Sequence, residues 1–197
     1  MIYAGFWRRL GALLLDFVIT LPITALVLST AGLYRLFYLY YFVPGILFSL
    51  FYSVYLVRRF GGTPGKLLAG LQIRKVDGTE IGYREALLRY LPEALLNVLL
   101  QIALISSVMG MTDSEYISLS FLDRARRMIE LAPTWRGPVN VLNQFWIWSE
   151  FVVMLTNRKR RALHDFIAGT VVIRRAVSSP AQDLSAAPAI GSAGSLP

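Results

Sequence analysis

The amino-acid sequence predicts an all-α transmembrane protein: a four-helix membrane bundle with a small cytoplasmic β-hairpin element and a disordered C-terminal tail. Of its 197 residues, 55% are hydrophobic and 16% are charged, whereas soluble domains carry about 25% charged residues. Four apolar segments also reach or approach the length of a membrane span. We therefore expect one membrane domain over residues 1–176 and a tail over residues 177–197, which are rich in Ser, Ala, Pro and Gly.

The four predicted spans differ in length. They cover residues 10–32, 36–57, 94–111 and 139–156. The first two contain the roughly 20 apolar residues that cross a bilayer. The last two are shorter and carry polar side chains, so we expect tilted spans in a bundle interior rather than helices lying at the membrane interface. Asn97 and Gln101, which share one helix face, are expected to form hydrogen bonds between helices.

The basic residues predict the orientation of the spans. The chain has a formal net charge of +8, and most of its Lys and Arg residues flank the apolar segments. Cytoplasmic loops are enriched in such residues, which places the N-terminus, the middle loop and the C-terminus in the cytoplasm. The same positions favour contacts with phospholipid headgroups, and no binding of nucleic acid is expected.

A small β element is predicted in the middle loop. Residues 71–83 alternate in polarity and turn at Asp77-Gly78, which is a strong hairpin signal. Residues 170–173 are β-branched and could add a strand to this hairpin. An isolated hairpin is marginal in water, so we expect a third strand or packing on the membrane domain.

The remaining loops predict helices and a turn. Residues 84–91 predict a short helix that Pro92 ends, and residues 116–131 predict an amphipathic helix on the outer surface. The sequence assigns no role to the whole outer loop, residues 112–138. Residues 61–66 have neither the glycine spacing nor the following Ser or Thr of a P-loop, so they predict a tight turn and no nucleotide site.

Composition excludes several kinds of site. The chain has no cysteine and one histidine, His164, so disulfides, cysteine–zinc sites and multi-histidine metal sites are excluded. No nucleophile lies in a pattern with a base. We therefore expect neither an enzyme nor a cofactor.

Asp16 lies within the first predicted span, two helical turns after Arg8 and Arg9. A carboxylate in a membrane costs roughly 2.5–3.5 kcal/mol on insertion scales, so it is expected to face a partner or a cavity. Seven residues return a helix to nearly the same face, which makes one of the two arginines the local partner. Two interpretations stay open: a cation or proton site, or a structural salt bridge to Arg9 or to a basic residue near the C-terminus.

His164 and Asp165 lie between a basic cluster and the predicted strand near the C-terminus. Histidine titrates near neutral pH, which would suit a proton relay or gate at the cytoplasmic mouth. The alternative is an ion pair at a helix end with Arg160 or Arg161, one turn away.

Glu150 lies about two turns inside the fourth predicted span. One interpretation joins it to Asp16 and Asn143 in a polar bundle interior. The other pairs it with an arginine of residues 158–161 that reaches into the membrane.

Three sequence blocks, in this order, resemble the RDD family of small bacterial membrane proteins. They are residues 6–10 with Asp16, residues 61–66 with the hairpin sequence that follows, and residues 160–172. The resemblance covers about residues 5–175. The family takes its name from an arginine and two aspartates, which correspond here to Arg9, Asp16 and Asp165.

The resemblance implies a multi-pass protein of the bacterial plasma membrane, and some family members have been linked to sodium/proton exchange. In that interpretation Asp16 exchanges the ion, Arg9 is its charge partner and Asp165 is a second carboxylate. Secondary candidates are Arg8, His164 and Glu150. Four spans line a narrow pathway poorly, so a transporter would require a homo-oligomer. The alternative is a non-catalytic accessory or assembly subunit that binds a membrane partner protein through its cytoplasmic loop.

Overall fold

The computed structural model describes residues 2–157 and 159–175 of the chain. The predicted tail, residues 177–197, therefore lies outside the described residues. Within them the fold is mostly helical, with one two-stranded sheet. Three helical stretches are long and apolar enough to cross a membrane: Phe6–Ala31, Phe37–Leu68 and Tyr83–Met109.

The first two apolar stretches lie where the first two spans were predicted. The first is the single helix α1 (Phe6–Ala31). The second consists of α2 (Phe37–Leu50), a π-helical turn (Phe51–Tyr55), α3 (Leu56–Phe60) and α4 (Pro64–Leu68). Gly61 ends α3 with a φ of 80°, a left-handed conformation that glycine adopts without steric cost. This bend allows α4 to pack against α1.

The third apolar stretch is the continuous helix α5 (Tyr83–Met109), which contains Pro92. The prediction that a short helix ends at Pro92 is therefore wrong. A proline removes one backbone donor from a helix, but membrane helices tolerate this loss when neighbouring groups satisfy the freed carbonyl. The helix begins at Tyr83, where the carboxylate of Glu85 accepts a hydrogen bond of 2.7 Å from the N–H of Gly82.

Two short helices, not one, occupy the loop that follows. They are α6 (Asp113–Ser118) and α7 (Phe121–Glu130), so the single amphipathic helix predicted over residues 116–131 is wrong. The chain breaks at Ser120, whose hydroxyl accepts a hydrogen bond from the N–H of Asp123 and starts α7 as its N-cap.

The fourth predicted span lies in α8 (Arg136–Thr156), a helix of 21 residues. It is not among the three stretches of the described chain that are apolar enough to be assigned as spans. Its length is nevertheless sufficient, since a rise of about 1.5 Å per residue gives about 31 Å, close to the hydrocarbon thickness of a bilayer.

The sheet joins distant parts of the chain. β1 (Leu71–Lys75) pairs antiparallel with β2 (Thr170–Arg174), and Leu71 lies opposite Arg174. The hairpin predicted within residues 71–83 is wrong, because the chain turns after β1 and enters α5 without a second strand. The strand predicted at residues 170–173 is confirmed. β2 takes the place of the predicted second hairpin strand beside β1, and its Val171 and Val172 are both 1% exposed, so this pairing buries apolar surface.

One end of the helix bundle is built around this sheet, and we call it the sheet end. Its core combines Ala4 and Ala12 near the start of the chain with Leu71, Ile73 and Val172 of the two strands. The short helix α9 (Leu163–Ile167) leads into β2 at the same end. The N-terminal residues, the middle loop and residues 162–175 therefore meet there.

The opposite end, which we call the α7 end, closes over the last turn of α1. Tyr116 donates a hydrogen bond of 2.6 Å to the carbonyl of Ala31, and Arg124 donates one of 3.1 Å to the carbonyl of Gly32. The last carbonyls of a helix have no partner within the helix. The outer loop thus caps α1, a role that the sequence did not reveal.

A close backbone contact joins α4 to α1 at Gly65. A Cβ atom at this position would overlap backbone atoms of Ala12 and Asp16. We expect Gly65→Ala to lower the free energy of unfolding by about 1–3 kcal/mol, the usual cost of overpacking. Denaturant unfolding of the purified protein in detergent measures this change.

Gly11→Ala in α1 is the matched control, since a Cβ there meets no atom within 4 Å. This variant is expected to unfold at the same denaturant concentration as the wild type or at a higher one, because alanine favours helix. Equal destabilisation by both substitutions would contradict the close contact.

Candidate functional site

The carboxylate of Asp16 is held by three donors from the second apolar stretch. Tyr52 donates a hydrogen bond of 2.5 Å from its hydroxyl, Thr63 donates one of 2.5 Å, and the backbone N–H of Gly65 donates one of 2.7 Å. None of these donors carries a charge. The part-buried carboxylate that the sequence singled out therefore has neutral polar partners, and it ties α1 to the π-helical turn and α4.

The predicted salt bridge between Asp16 and an arginine of α1 is wrong. Asp16 forms no ion pair within the described residues. Arg8 is exposed, and Arg9 pairs with Asp165. Although seven residues preserve the helix face, they separate two Cα atoms by about 10 Å along the axis, so each side chain meets a nearer partner. The nearest described cation in a hydrogen-bond chain is Lys66, whose Nζ donates to the Thr63 hydroxyl at 3.3 Å.

Asp165 is the centre of a buried ionic clamp. Its side chain is 0% exposed, and it pairs with Arg9 of α1 at 2.9 Å and with Arg89 of α5. The N–H of Ala162 and the hydroxyl of Thr170 donate further hydrogen bonds of 3.0 and 3.1 Å. The clamp therefore connects α1, α5, α9 and β2.

The predicted pairing of His164 and Asp165 with Arg160 or Arg161 is wrong. Arg161 instead donates hydrogen bonds to two backbone carbonyls, those of Thr170 at 3.0 Å and Asp165 at 2.8 Å. These carbonyls lie at the turn between α9 and β2. The Arg161 guanidinium thus stabilises that turn, while the Asp165 carboxylate pairs with Arg9 of α1 and Arg89 of α5.

The Asp165 clamp keeps its carboxylate ionised. Burial raises the pKa of the Asp165 carboxyl, but Arg89, His164 and Arg9, together with the Ala162 N–H, hold that pKa well below its usual range. A group that stays charged through the physiological range is a poor exchanger of protons, so the geometry favours a structural role for Asp165.

Glu150 and His164 form a second pair at the sheet end. The carboxylate of Glu150 in α8 contacts Nδ1 of His164 in α9, and the side chains are 25% and 19% exposed. Among the described residues Glu150 pairs with His164, not with Asp16 or Asn143 and not with Arg160 or Arg161; Arg158 lies outside the described residues. Nε2 of His164 lies 3.8 Å from Asp165, which links the pair to the clamp.

These groups form one ionic cluster of eight side chains, contributed by α1, α4, α5, α8 and α9: Arg9, Asp16, Lys66, Arg89, Glu93, Glu150, His164 and Asp165. Lys66 interacts electrostatically with Asp16 and with the clamp. Glu93 in turn interacts with Lys66 and with the Glu150–His164 pair. The cluster therefore has no isolated charge.

With all its carboxyl and basic groups charged and its histidine neutral, the ionic cluster has a formal charge of −1, because it contains four carboxylates and three basic side chains. One proton or one monovalent cation would neutralise it. Within the described residues there is no group of three or more His, Cys, Asp or Glu side chains that could hold a metal ion together.

Sequence reasoning missed several members of the site. Arg89 and Glu93 lie one turn apart on α5. Their spacing could have indicated one charged helix face, but residues 84–91 were interpreted as a separate loop helix. Tyr52 was one tyrosine among several in an aromatic span, and its hydroxyl gave no local sign of a carboxylate partner. Lys66 was interpreted as part of a tight turn near lipid phosphates.

The profile of the RDD family matches residues 3–169 of the chain. The chain belongs to the RDD family. The matched range includes Arg9, Asp16 and Asp165, so the resemblance drawn from the sequence is confirmed. No curated protein and no solved structure matches the chain. Family membership and the three apolar helices make this RDD protein an integral membrane protein in contact with the lipid bilayer.

The ionic clamp of the RDD protein predicts a large effect of Asp165→Asn. We expect a loss of about 3–5 kcal/mol in the free energy of unfolding, because two buried arginines lose their counter-ion. Asp113→Asn is the control, since that side chain is 74% exposed in its pair with Arg35; it should cost less than about 1 kcal/mol. Similar losses in both variants would contradict the clamp.

The lowered pKa of Asp165 also predicts a dependence on pH. A carboxylate whose pKa is depressed by folding stabilises the folded state above its unfolded pKa of about 3.9, and this contribution is lost as pH falls below that value. The difference in stability between wild type and Asp165→Asn should therefore be widest above about pH 5 and should narrow in acid. If the difference in stability between wild type and Asp165→Asn stays constant from pH 7 to pH 3, the Asp165 carboxylate is not the ionised group of the clamp.

Proposed function

We propose that this RDD protein exchanges protons for a monovalent cation such as Na⁺, and that Glu150 and His164 are the exchanging pair. The observation that carries the proposal is the contact between these two side chains inside an ionic cluster with one excess negative charge. Histidine is the side chain whose charge changes in the physiological range. A proton and a monovalent cation would then compete for the same excess charge.

Asp16, Arg9 and Asp165 have positioning roles in this proposal. Asp16 accepts hydrogen bonds from three neutral donors, and Asp165 is clamped by Arg9 and Arg89. An ion bound at either carboxylate would have to displace donors that hold helices together. Among the described residues Glu150 forms no salt bridge with an arginine and contacts His164 instead, so its charge is more available than that of Asp16 or Asp165.

Glu93 supports a route to this pair. Its side chain is exposed on α5 and interacts electrostatically with Glu150, His164 and Lys66. An ionisable side chain in a membrane helix that faces a polar partner is a functional candidate. We propose that Glu93 passes the ion or proton between the bundle surface and the Glu150–His164 pair.

The proposal includes four crossings of a bacterial inner membrane, with both termini in the cytoplasm. α8 runs from the α7 end to the sheet end and is long enough to cross. The sheet end collects basic residues from the N-terminus, the middle loop and the C-terminal block, which supports its cytoplasmic location under the positive-inside rule. A homo-oligomer would provide the additional wall that a pathway requires.

The alternative, a non-catalytic accessory subunit, has less structural support. A partner that bound by strand addition would need a free sheet edge. β1 is already contacted by Gly61, whose carbonyl accepts from Ile73 at 2.7 Å, and β2 by Ala4, whose N–H donates to Val172 at 3.0 Å. We further propose that the protein is not an enzyme.

The experiment is cation-driven proton flux into vesicles that contain the purified protein and a trapped pH-sensitive dye. Addition of Na⁺ should change the internal pH, with K⁺ and Li⁺ tested in parallel. Glu150→Gln is expected to reduce the flux to that of empty vesicles, and His164→Gln is expected to alter its dependence on pH. Each variant is first checked for folding by its thermal unfolding.

Two controls separate exchange from stability. Glu80→Gln removes a carboxylate that is 73% exposed in a surface pair with Arg74, and it should leave flux unchanged. Asp16→Asn should lower stability because the amide N–H₂ would replace one of the two accepting oxygens and face a donor, while the folded fraction retains flux. Flux that survives Glu150→Gln, or the absence of flux with any of the three cations, overturns the proposal.

A further inference from the structure

A cavity of about 570 Å³ lies between α2, α5 and α8, and none of the eight residues of the ionic cluster lines it. Its volume falls in the range of about 300–1,000 Å³ that ligand sites occupy. Along α5 its lining extends from Tyr90 to Leu104, which corresponds to about 21 Å of helix at about 1.5 Å per residue. A long, narrow ligand would therefore fit along the helix axis.

Four polar side chains line this cavity without a side-chain partner in the described part of the chain: Asn97, Gln101, Arg136 and Asn140. Three are amides and one is a guanidinium. In hydrocarbon, a polar group without a hydrogen-bond partner costs several kcal/mol. The expected hydrogen bonds between helices are not made by Asn97 or Gln101 among the described residues, so these amides are available to a ligand.

The cavity has its charged group at one end and an apolar wall on α2. Arg136, the first residue of α8, is the one charged residue among the described residues that line the cavity, and Asn140 follows one turn deeper. Ile46 and Leu50 of α2 provide an apolar wall toward the sheet end. There the hydroxyl of Tyr90 donates a hydrogen bond of 2.6 Å to Ser49, which connects α2 to α5 and closes that side.

We propose that this cavity binds an anionic phospholipid. The phosphate would pair with Arg136, because a guanidinium binds phosphate oxygens with two parallel hydrogen bonds. The ester carbonyls would accept hydrogen bonds from the amides of Asn140 and Gln101. One acyl chain would lie against the apolar wall. The inference does not depend on the proposed exchange, because the cavity and the ionic cluster share no residue.

The test compares two lipids on the full-length purified protein by native mass spectrometry. Phosphatidylglycerol and phosphatidylcholine with identical acyl chains are added in equal amounts. The wild type should retain phosphatidylglycerol preferentially. Arg136→Gln should remove the preference and Arg136→Lys should keep part of it, since the lysine retains the charge. Arg126→Gln is the matched control, because that arginine side chain is 77% exposed on α7 and should not affect lipid retention.

A second variant tests the apolar part of the site. Ala94→Leu adds volume to the cavity wall without changing a charge, and it should reduce retention of both lipids. Because Ala94→Leu keeps Arg136, it tests lipid binding in the cavity even if Arg136→Gln does not fold. Equal retention of the two lipids by the wild type overturns the proposal. Displacement of the lipid by inorganic phosphate also overturns the proposal. So does an Ala94→Leu variant that changes the number of subunits but not the retention of lipid, because the cavity would then bind a second copy of the chain.

Discussion

A single buried carboxylate, that of Asp165, determines how the described chain is held together at the sheet end. It pairs with Arg9 and Arg89 and accepts a hydrogen bond from Thr170. A buried charge is tolerated only when its partners are in place, so the elements that carry these residues have to meet at one point. The location of α9 beside α5, and of the start of β2 beside both, follows from that requirement.

The rest of the bundle depends on polar contacts more than on an apolar core. Only 11–17% of the residues in the three most apolar windows are buried inside the protein. Membrane helices gain little from hiding apolar surface from one another, because lipid is equally apolar. The Asp16 contacts to Tyr52, Thr63 and Gly65 therefore carry much of the specificity with which α1 and the second stretch associate. The Tyr116 and Arg124 caps have the same role at the α7 end.

Sequence reasoning recovered the apolar helices and the need of Asp16 for polar neighbours, because hydropathy and the cost of a charge in lipid are local properties. It failed where partners are distant. Nothing near Asp165 indicated Arg89, which is 76 residues earlier in the chain. The turn at Asp77 was interpreted as a hairpin because the competing strand, β2, lies far away in sequence. Pro92 was taken as a helix end by a rule that applies in water and is relaxed in lipid.

The order of the elements along the chain has a consequence for biosynthesis. Arg9 and Arg89 belong to α1 and α5, which leave the ribosome well before Asp165 does. During translation both arginines are therefore synthesised before their final counter-ion. Maturation therefore ends with the docking of α9 and β2, and any nascent chain that stops before residue 165 retains two uncompensated cations.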